Sequence, residues 1–269
     1  MGVVLTRTAI VLSFAVGIGV LNAAKADELS DPPRRANAAA AAKPVSVVQI
    51  TPYLWASGLS GDISPFKLGP TIGVDKSFSD ILKHLNFGGF INLWARYDRF
   101  VFSGDLMYVS TTETKVVKGL PLIGALRADL DSREFNTTLL AGYRALDLPQ
   151  FTVDFMAGAR LWSVANSVKV KAPIVLSYSE KFGWIDPVVG IRAFYNFTDK
   201  VSTLVQADAG GMGVGSKFTW QALATLNYTI NDSFSASAGY KVLRVNYQSG
   251  GHVFDTTLHG PVIGATYRF

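Results

Sequence analysis

The side chains that could support catalysis are few and are concentrated near the end of the chain. Cysteine is absent, and the only histidines are His84, His252 and His259. Together with the nearby Ser249 and Asp255, the last two histidines supply the components of a Ser/His/acid site. No motif surrounds them, so we predict that the protein is not an enzyme, with a hydrolase as the less favoured alternative. Scattered histidines without cysteine also predict neither a metal site nor a cofactor.

A glycine-rich stretch, 210–217, superficially resembles a phosphate-binding loop. It lacks the GxxxxGK[ST] spacing, and no helical pattern follows it, so it predicts a turn between two strands. The net charge is +5 and falls to +3 without residues 1–26, which contain two basic residues and no acidic ones. A balance this close to neutral gives no reason to expect a nucleic-acid partner.

Ten charged residues form the more informative candidate site, because they lie on the polar faces of alternating segments. They are Arg96, Asp105, Arg144, Asp154, Arg160, Asp186, Arg192, Asp208, Lys241 and Arg268. Residues 218–230 illustrate the alternation, with Phe218, Trp220, Leu226 and Tyr228 on one face and mainly threonine, glutamine and asparagine on the other. Such a period of two is typical of β-strands.

The two faces of these segments predict which side meets lipid. The apolar faces are long, and aromatic residues gather near the segment ends, as they do at the interfacial girdles of membrane barrels. These aromatic residues are Tyr97, Phe102, Tyr143, Phe151, Phe197, Phe234 and Phe269. A secreted sandwich with apolar residues inside is the alternative. We expect an all-β protein, a transmembrane antiparallel up-and-down β-barrel with apolar residues outside.

The ten charged residues would then line a narrow lumen, together with Trp94, Trp162 and Trp184. Unpaired charges at low dielectric cost several kcal/mol, so opposite charges should pair there. A barrel of about eight strands is filled by side chains, whereas wide channels need about sixteen. We therefore predict a largely filled lumen and a structural or interaction role. The alternative is a narrow porin-like channel for small solutes.

Short polar turns near 98–99, 147–150, 198–200 and 231–232 alternate with longer connections near 112–130, 166–182, 211–216 and 248–254. This pattern predicts one rim of short turns and an opposite rim of longer loops. The predicted ten strands are 46–57, 88–98, 100–111, 131–146, 151–165, 183–197, 200–210, 216–230, 233–247 and 255–269. Eight or twelve strands remain open, since 67–76 also has strand character.

The first long connection, about 59–87, should lie on the loop side or fold into the barrel mouth. Within it, residues 77–85 place Phe78, Ile81, Leu82 and Leu85 on one helical face, with Ser77 or Ser79 as the cap. We predict one short helix there, either a constriction of the mouth or a structural element of the loop.

The N-terminal region predicts export. Arg7, the apolar run that follows it and Ala24-Lys25-Ala26 match a signal peptide, residues 1–26. Residues 27–45 are rich in alanine and proline, and we expect a flexible periplasmic tether. The barrel domain would then be residues 46–269.

Several stretches resemble a family of small proteobacterial outer-membrane β-barrel proteins, chiefly 184–192 (WIDPVVGIR), 51–55 (TPYLW), 104–108 (GDLMY) and 260–264 (GPVIG). There is a looser similarity to OmpW-like and opacity-type barrels. The resemblance implies the bacterial outer membrane as the location and recognition of the terminal strand, with Tyr267 and Phe269, by the barrel-assembly machinery. Basic residues near the loops could meet lipopolysaccharide phosphates or form a solvated rim: Lys115, Lys118, Lys169, Lys171 and Lys181.

Overall fold

The structure is a computed structural model that describes residues 46–120, 124–171 and 175–269. The predicted signal peptide, residues 1–26, and the tether, residues 27–45, lie outside the described residues. The elements are β1 (Ser46–Trp55), β2 (Gly58–Ser64), β3 (Ile72–Lys76), α1 (Phe78–His84), β4 (Leu85–Tyr97), β5 (Phe100–Leu120), β6 (Gly124–Asp147), β7 (Phe151–Lys171), β8 (Val175–Asn196), β9 (Val201–Gly210), β10 (Phe218–Thr229), β11 (Phe234–Ser249) and β12 (His252–Arg268).

Ten strands close into an antiparallel barrel, because β1 pairs with both β4 and β12. The remaining two, β2 and β3, form a hairpin that continues the sheet from the first half of β12. The prediction of an all-β barrel with ten strands is confirmed. The strand character of 67–76 belongs to β3, and its partner β2 lies almost entirely within the predicted first connection, residues 59–87.

The turns define two different rims. Connections of a few residues, at 98–99, 148–150, 197–200 and 230–233, join the strands at one end, which we call the inner rim; the opposite end is the outer rim. Strands β5 to β8 have 21, 24, 21 and 22 residues. A membrane-spanning strand needs about 9–11 residues. These four strands therefore project well beyond a bilayer at the outer rim.

Three predicted loops are consequently wrong. Segments 112–130 and 166–182 are mostly strand, because polar cross-strand pairs stabilise them: Thr112 donates to Asp131 at 2.7 Å, and Ser179 donates to Ser167 at 2.9 Å. Their polar faces were misread as loop. Segment 248–254 shortens to a tight turn at Gly250 and Gly251, whose φ angles of 61° and 87° suit a two-residue hairpin.

The strand faces are sorted as a membrane barrel requires. On β8, Ile185 and Val189 are each 56% exposed, whereas Asp186 is fully buried in the lumen between them. Leu139, Phe155 and Leu226 are likewise exposed on the outside. Apolar side chains therefore face outward as a belt, and polar ones face inward. The seven rim aromatics predicted from sequence lie on outward positions of their strands or at strand ends.

The predicted short helix is present as α1. The Ser77 side chain caps it by accepting a hydrogen bond from the Asp80 backbone N–H at 3.2 Å. None of its residues is fully buried, and Leu82 is about half exposed, so its apolar face does not form a plug. No helix in the described part of the chain is long and apolar enough to cross a membrane.

Candidate functional site in the barrel lumen

The centre of the lumen is occupied by Arg160 of β7. Its guanidinium pairs with Asp208 of β9 at 2.7 Å and donates to the hydroxyls of Thr138 and Thr219, each at 2.9 Å. The side chains of Arg160 and Asp208 are both completely buried. Side chains from three other strands therefore bind the guanidinium, and these contacts connect β6, β9 and β10 to β7 across the interior.

A second charged layer lies closer to the inner rim. Asp154 accepts from the Arg144 Nε at 2.7 Å and lies 3.5 Å from the Arg192 Nη1. The Trp94 ring contacts both guanidinium groups, with ring-centre distances of 5.5 Å to Arg144 and 4.6 Å to Arg192. One carboxylate thus bridges two arginines, and an aromatic face supports both cations.

A third cluster is formed by Lys241, Asp105 and Tyr53. The Lys241 ammonium donates to Asp105 at 2.5 Å and to the Tyr53 hydroxyl at 2.8 Å, and that hydroxyl donates to Asp105 at 2.9 Å. The Trp55 ring lies 4.9 Å from the same ammonium. The cluster links β1, β5 and β11, so it fastens the strands on either side of the β1–β12 junction.

Asp186 has different partners from those the sequence suggested. It lies beside Arg160 in the β7–β8 register but forms no ion pair among the described residues. Its carboxylate instead accepts from the Ser216 backbone N–H at 2.6 Å and from the Trp184 Nε1 at 2.9 Å. The residue therefore anchors the 211–217 loop against the lumen wall.

The two remaining candidates lie at the inner rim. Arg96 pairs with Asp147 at 2.5 Å, and the structure places Arg268 on β12 with no ion pair to any described residue. Asp147 and Tyr53 were not among the predicted lumen residues, because Asp147 was assigned to the 147–150 turn and Tyr53 carries no charge. The alternation of Tyr53 with Trp55 could have placed it inside.

A layer of aromatic side chains lies in the lumen between these charges and the outer rim. Trp184 stacks on Tyr247 with ring centres 3.9 Å apart and on Trp162 at 5.5 Å. Phe254 packs against Trp162 at 5.3 Å, and all four residues are buried. The placement of Trp162 and Trp184 inside the barrel agrees with the alternation of their strands.

The outer mouth is crossed by residues 65–71, the connection between β2 and β3. The Glu180 carboxylate accepts from the Lys67 backbone N–H at 2.8 Å and from the Tyr178 hydroxyl at 3.2 Å. On the same side, Asn166 donates to the Pro65 carbonyl at 3.3 Å. Strands β7 and β8 therefore hold this connection over the mouth, with Asn166 and Glu180 each contributing one hydrogen bond.

The pKa of Glu180, which lies beyond the apolar belt, is lowered mainly by the Lys67 N–H and further by the charge of His252 and the Tyr178 hydroxyl. A depressed pKa means that the attachment is fully present above the ordinary glutamate pKa of about 4.3 and is lost as the pH falls through the lower folded-state value. We expect Glu180→Gln to speed hydrogen exchange in 65–71 at least about three-fold at pH 7.

Hydrogen-exchange mass spectrometry of the 65–71 peptide measures this effect. Glu113→Gln is the matched control, because Glu113 pairs with Lys76 at the same rim without touching 65–71. The difference between wild type and Glu180→Gln should disappear below the depressed pKa. Equal exchange in both proteins at pH 7 would show that Glu180 does not hold the connection.

The candidate catalytic residues near the end of the chain are divided between two faces of the sheet: Ser249 lies opposite His252 in the β11–β12 register, whereas Asp255 and His259 face outward. His252 is buried, stacks on Phe182 at 4.1 Å and lies 3.3 Å from Glu180. His259 faces outward and its Nδ1 lies 2.7 Å from the Tyr240 hydroxyl. Asp255 also faces outward, where it pairs with Arg244. Among the described residues, no three potential ligands are grouped so as to hold a metal ion.

Structural comparison places this barrel among known membrane barrels. The outer-membrane protease OmpT from Escherichia coli is similar at a TM-score of 0.54 and 11% identity, over 84% of this chain and 97% of that one. The translocator domain of the autotransporter NalP from Neisseria meningitidis has a TM-score of 0.48 at 13% identity, over 86% of this chain and 91% of that one. No family model and no curated protein matches the sequence.

At this identity the likeness to OmpT shows the fold alone. With the closed ten-stranded sheet and the outward apolar belt, it identifies the chain as a β-barrel of the outer-membrane type.

Proposed function

We propose that the protein is an integral β-barrel of the bacterial outer membrane with a structural or interaction role, a filled lumen and no enzymatic activity. The observation that supports this proposal is a series of buried side-chain layers stacked along the barrel interior. The Arg144–Asp154–Arg192 layer, the Arg160–Asp208 pair and the Trp184–Tyr247 stack follow one another from the inner rim to the outer rim.

Paired and desolvated charges are better suited to stabilising the barrel wall than to lining a solute path, because a conducting lumen keeps its charges hydrated. The projecting strands β5 to β8 then supply the surface through which the protein meets partners outside the cell. Outer-membrane lipids and lipopolysaccharide are the proposed partners of its outer rim. The outward-facing Tyr267 and Phe269, whose rings lie 4.7 Å apart, are the proposed contact for the barrel-assembly machinery.

Orientation follows from the rims, since barrels of this class have short periplasmic turns and longer extracellular segments. The chain has no cysteine, so single cysteines report position directly. We expect Ser177→Cys on the projecting part of β8 to react with a bulky maleimide–polymer on intact cells. Asp232→Cys, in an inner-rim turn, should react only after the outer membrane is permeabilised.

Labelling of Asp232→Cys but not Ser177→Cys on intact cells would reverse the proposed orientation. Labelling of both without permeabilisation would argue against insertion in the outer membrane. The cysteine-free wild type is the control for non-specific reaction.

A further inference from the structure

The outward surface of β6, β7 and β8 carries two basic residues at the edge of the apolar belt. Arg133 and Lys181 both lie directly beside Ala165 in the strand register, one on each side. Both side chains are exposed, and neither takes part in any ion pair of the described residues. They form an outward row, Arg133–Ala165–Lys181, whose two basic side chains are left without an ion-pair partner among the described residues.

The spacing of this row suits a single anion. Neighbouring strands lie about 4.8 Å apart, so the Cα atoms of the two basic residues lie about 10 Å from each other. The long side chains of Arg133 and Lys181 can lean toward each other over Ala165, whose small methyl group leaves room between them. The planar arginine fork and the lysine ammonium both bind phosphate oxygens well.

The surroundings of the row distinguish a lipid headgroup from a free anion. One position closer to the inner rim, the outward residues are Phe135, Ser163 and Gly183, and the apolar belt continues from there through Leu161 and Ile185. An anion on the row would therefore have an apolar surface directly beneath it. That arrangement matches a molecule with a charged head and acyl chains.

Several of the charged residues farther out already have partners. Asp129 pairs with Arg127 at 2.9 Å and with Lys171 at 3.2 Å, and Asp131 accepts from Thr112. Lys115 lies 3.5 Å from Glu113. Of the basic residues named from sequence, Lys181 is thus the one placed next to the belt, and its neighbour Arg133 was not anticipated.

We propose that the Arg133–Ala165–Lys181 row binds the phosphate of a phosphorylated glycolipid of the outer leaflet, with the acyl chains lying on the belt below. This inference rests on the proposed outer-membrane location and deepens it by assigning the lipid contact to two residues. It also gives the outer rim a defined lipid partner on one side of the barrel.

The test uses the purified full-length barrel in detergent micelles and native mass spectrometry, with lipid A carrying two phosphates as the probe. Arg133→Gln/Lys181→Gln should weaken the apparent Kd at least about ten-fold. Lys115→Gln/Lys169→Gln removes the same charge from the same rim, farther from the belt, and should change the Kd less than about two-fold. Dephosphorylated lipid A should bind wild type as weakly as lipid A binds the first variant.

Equal losses in the two variants would overturn the proposal in favour of a diffuse basic rim. Retention of dephosphorylated lipid A, or displacement of lipid A by inorganic phosphate alone, would also overturn it. Insertion into phosphatidylcholine vesicles, followed by the heat-dependent gel migration of folded barrels, is measured for each protein. Failure of wild type to insert would contradict the proposed function, whereas insertion without phosphate preference would contradict only the lipid site.

Discussion

Replacing Arg160 with methionine is expected to lower the free energy of unfolding by about 3–5 kcal/mol, because the change leaves a buried carboxylate without its partner. Asp208 is completely buried, and its Oδ1 accepts from Arg160 at 2.7 Å. The hydroxyls of Thr138 and Thr219 lose the same guanidinium. Methionine has a similar length and adds no cavity comparable to that of alanine, so the lost pairing dominates the effect.

Urea unfolding of the barrel in phospholipid vesicles measures this loss. Arg160→Met/Asp208→Leu should recover most of the stability, since replacing both members of a buried ion pair by apolar residues is often nearly neutral. Lys83→Met is the exposed control: Lys83 pairs with Asp80 on the surface of α1, and its loss should cost at most about 1 kcal/mol. A similarly small effect at Arg160 would mean that the lumen is hydrated.

The facing of the strands could be predicted from sequence because it depends on a local period of two. Residues 151–162 show this well: Phe155 is exposed on the outside, and Asp154, Arg160 and Trp162 are buried inside. The short helix could also be predicted from local sequence, since the Ser77 cap and the spacing of Phe78 and Ile81 lie within one short segment.

The length of β5 to β8 could not be predicted in this way. Beyond the membrane the outward positions become polar, as at Ser167, Lys169 and Lys171 of β7, so the apolar outward face that marks a lipid-facing strand is lost. Only the pairing across strands then shows that these segments remain strands. The β2–β3 hairpin was missed for a related reason. Gly58 to Ser64 has little apolar pattern of its own, and it becomes a strand because β12 offers it an unpaired edge.

The partners of individual charges were the least predictable part of the site. Alternation placed Asp186 inside the lumen, yet its partners are a loop N–H at Ser216 and the Trp184 indole rather than an arginine. Lys241 meets a tyrosine 188 positions away in the chain. Which partner a charged side chain contacts depends on the stagger between strands and on the length of each side chain, and the pattern of a single strand does not determine these.

The largest functional effect expected concerns conductance. If the charged and aromatic layers fill the lumen, the folded wild-type barrel should carry no steady current across a planar lipid bilayer. Removing the mouth connection should not change this result, because the Trp184–Tyr247 stack and the Arg160–Asp208 pair lie beneath it. A variant with residues 65–71 replaced by a short glycine linker should therefore remain silent.

Single-channel recording of wild type and of this linker variant is the most direct test of the filled lumen. The folded state of each protein is first verified by its heat-dependent gel migration, so that silence cannot arise from failed insertion. We expect neither protein to show steady openings. Steady, ion-selective openings of the wild type, or openings that appear when 65–71 is removed, would contradict the filled lumen and would favour a narrow channel for small solutes.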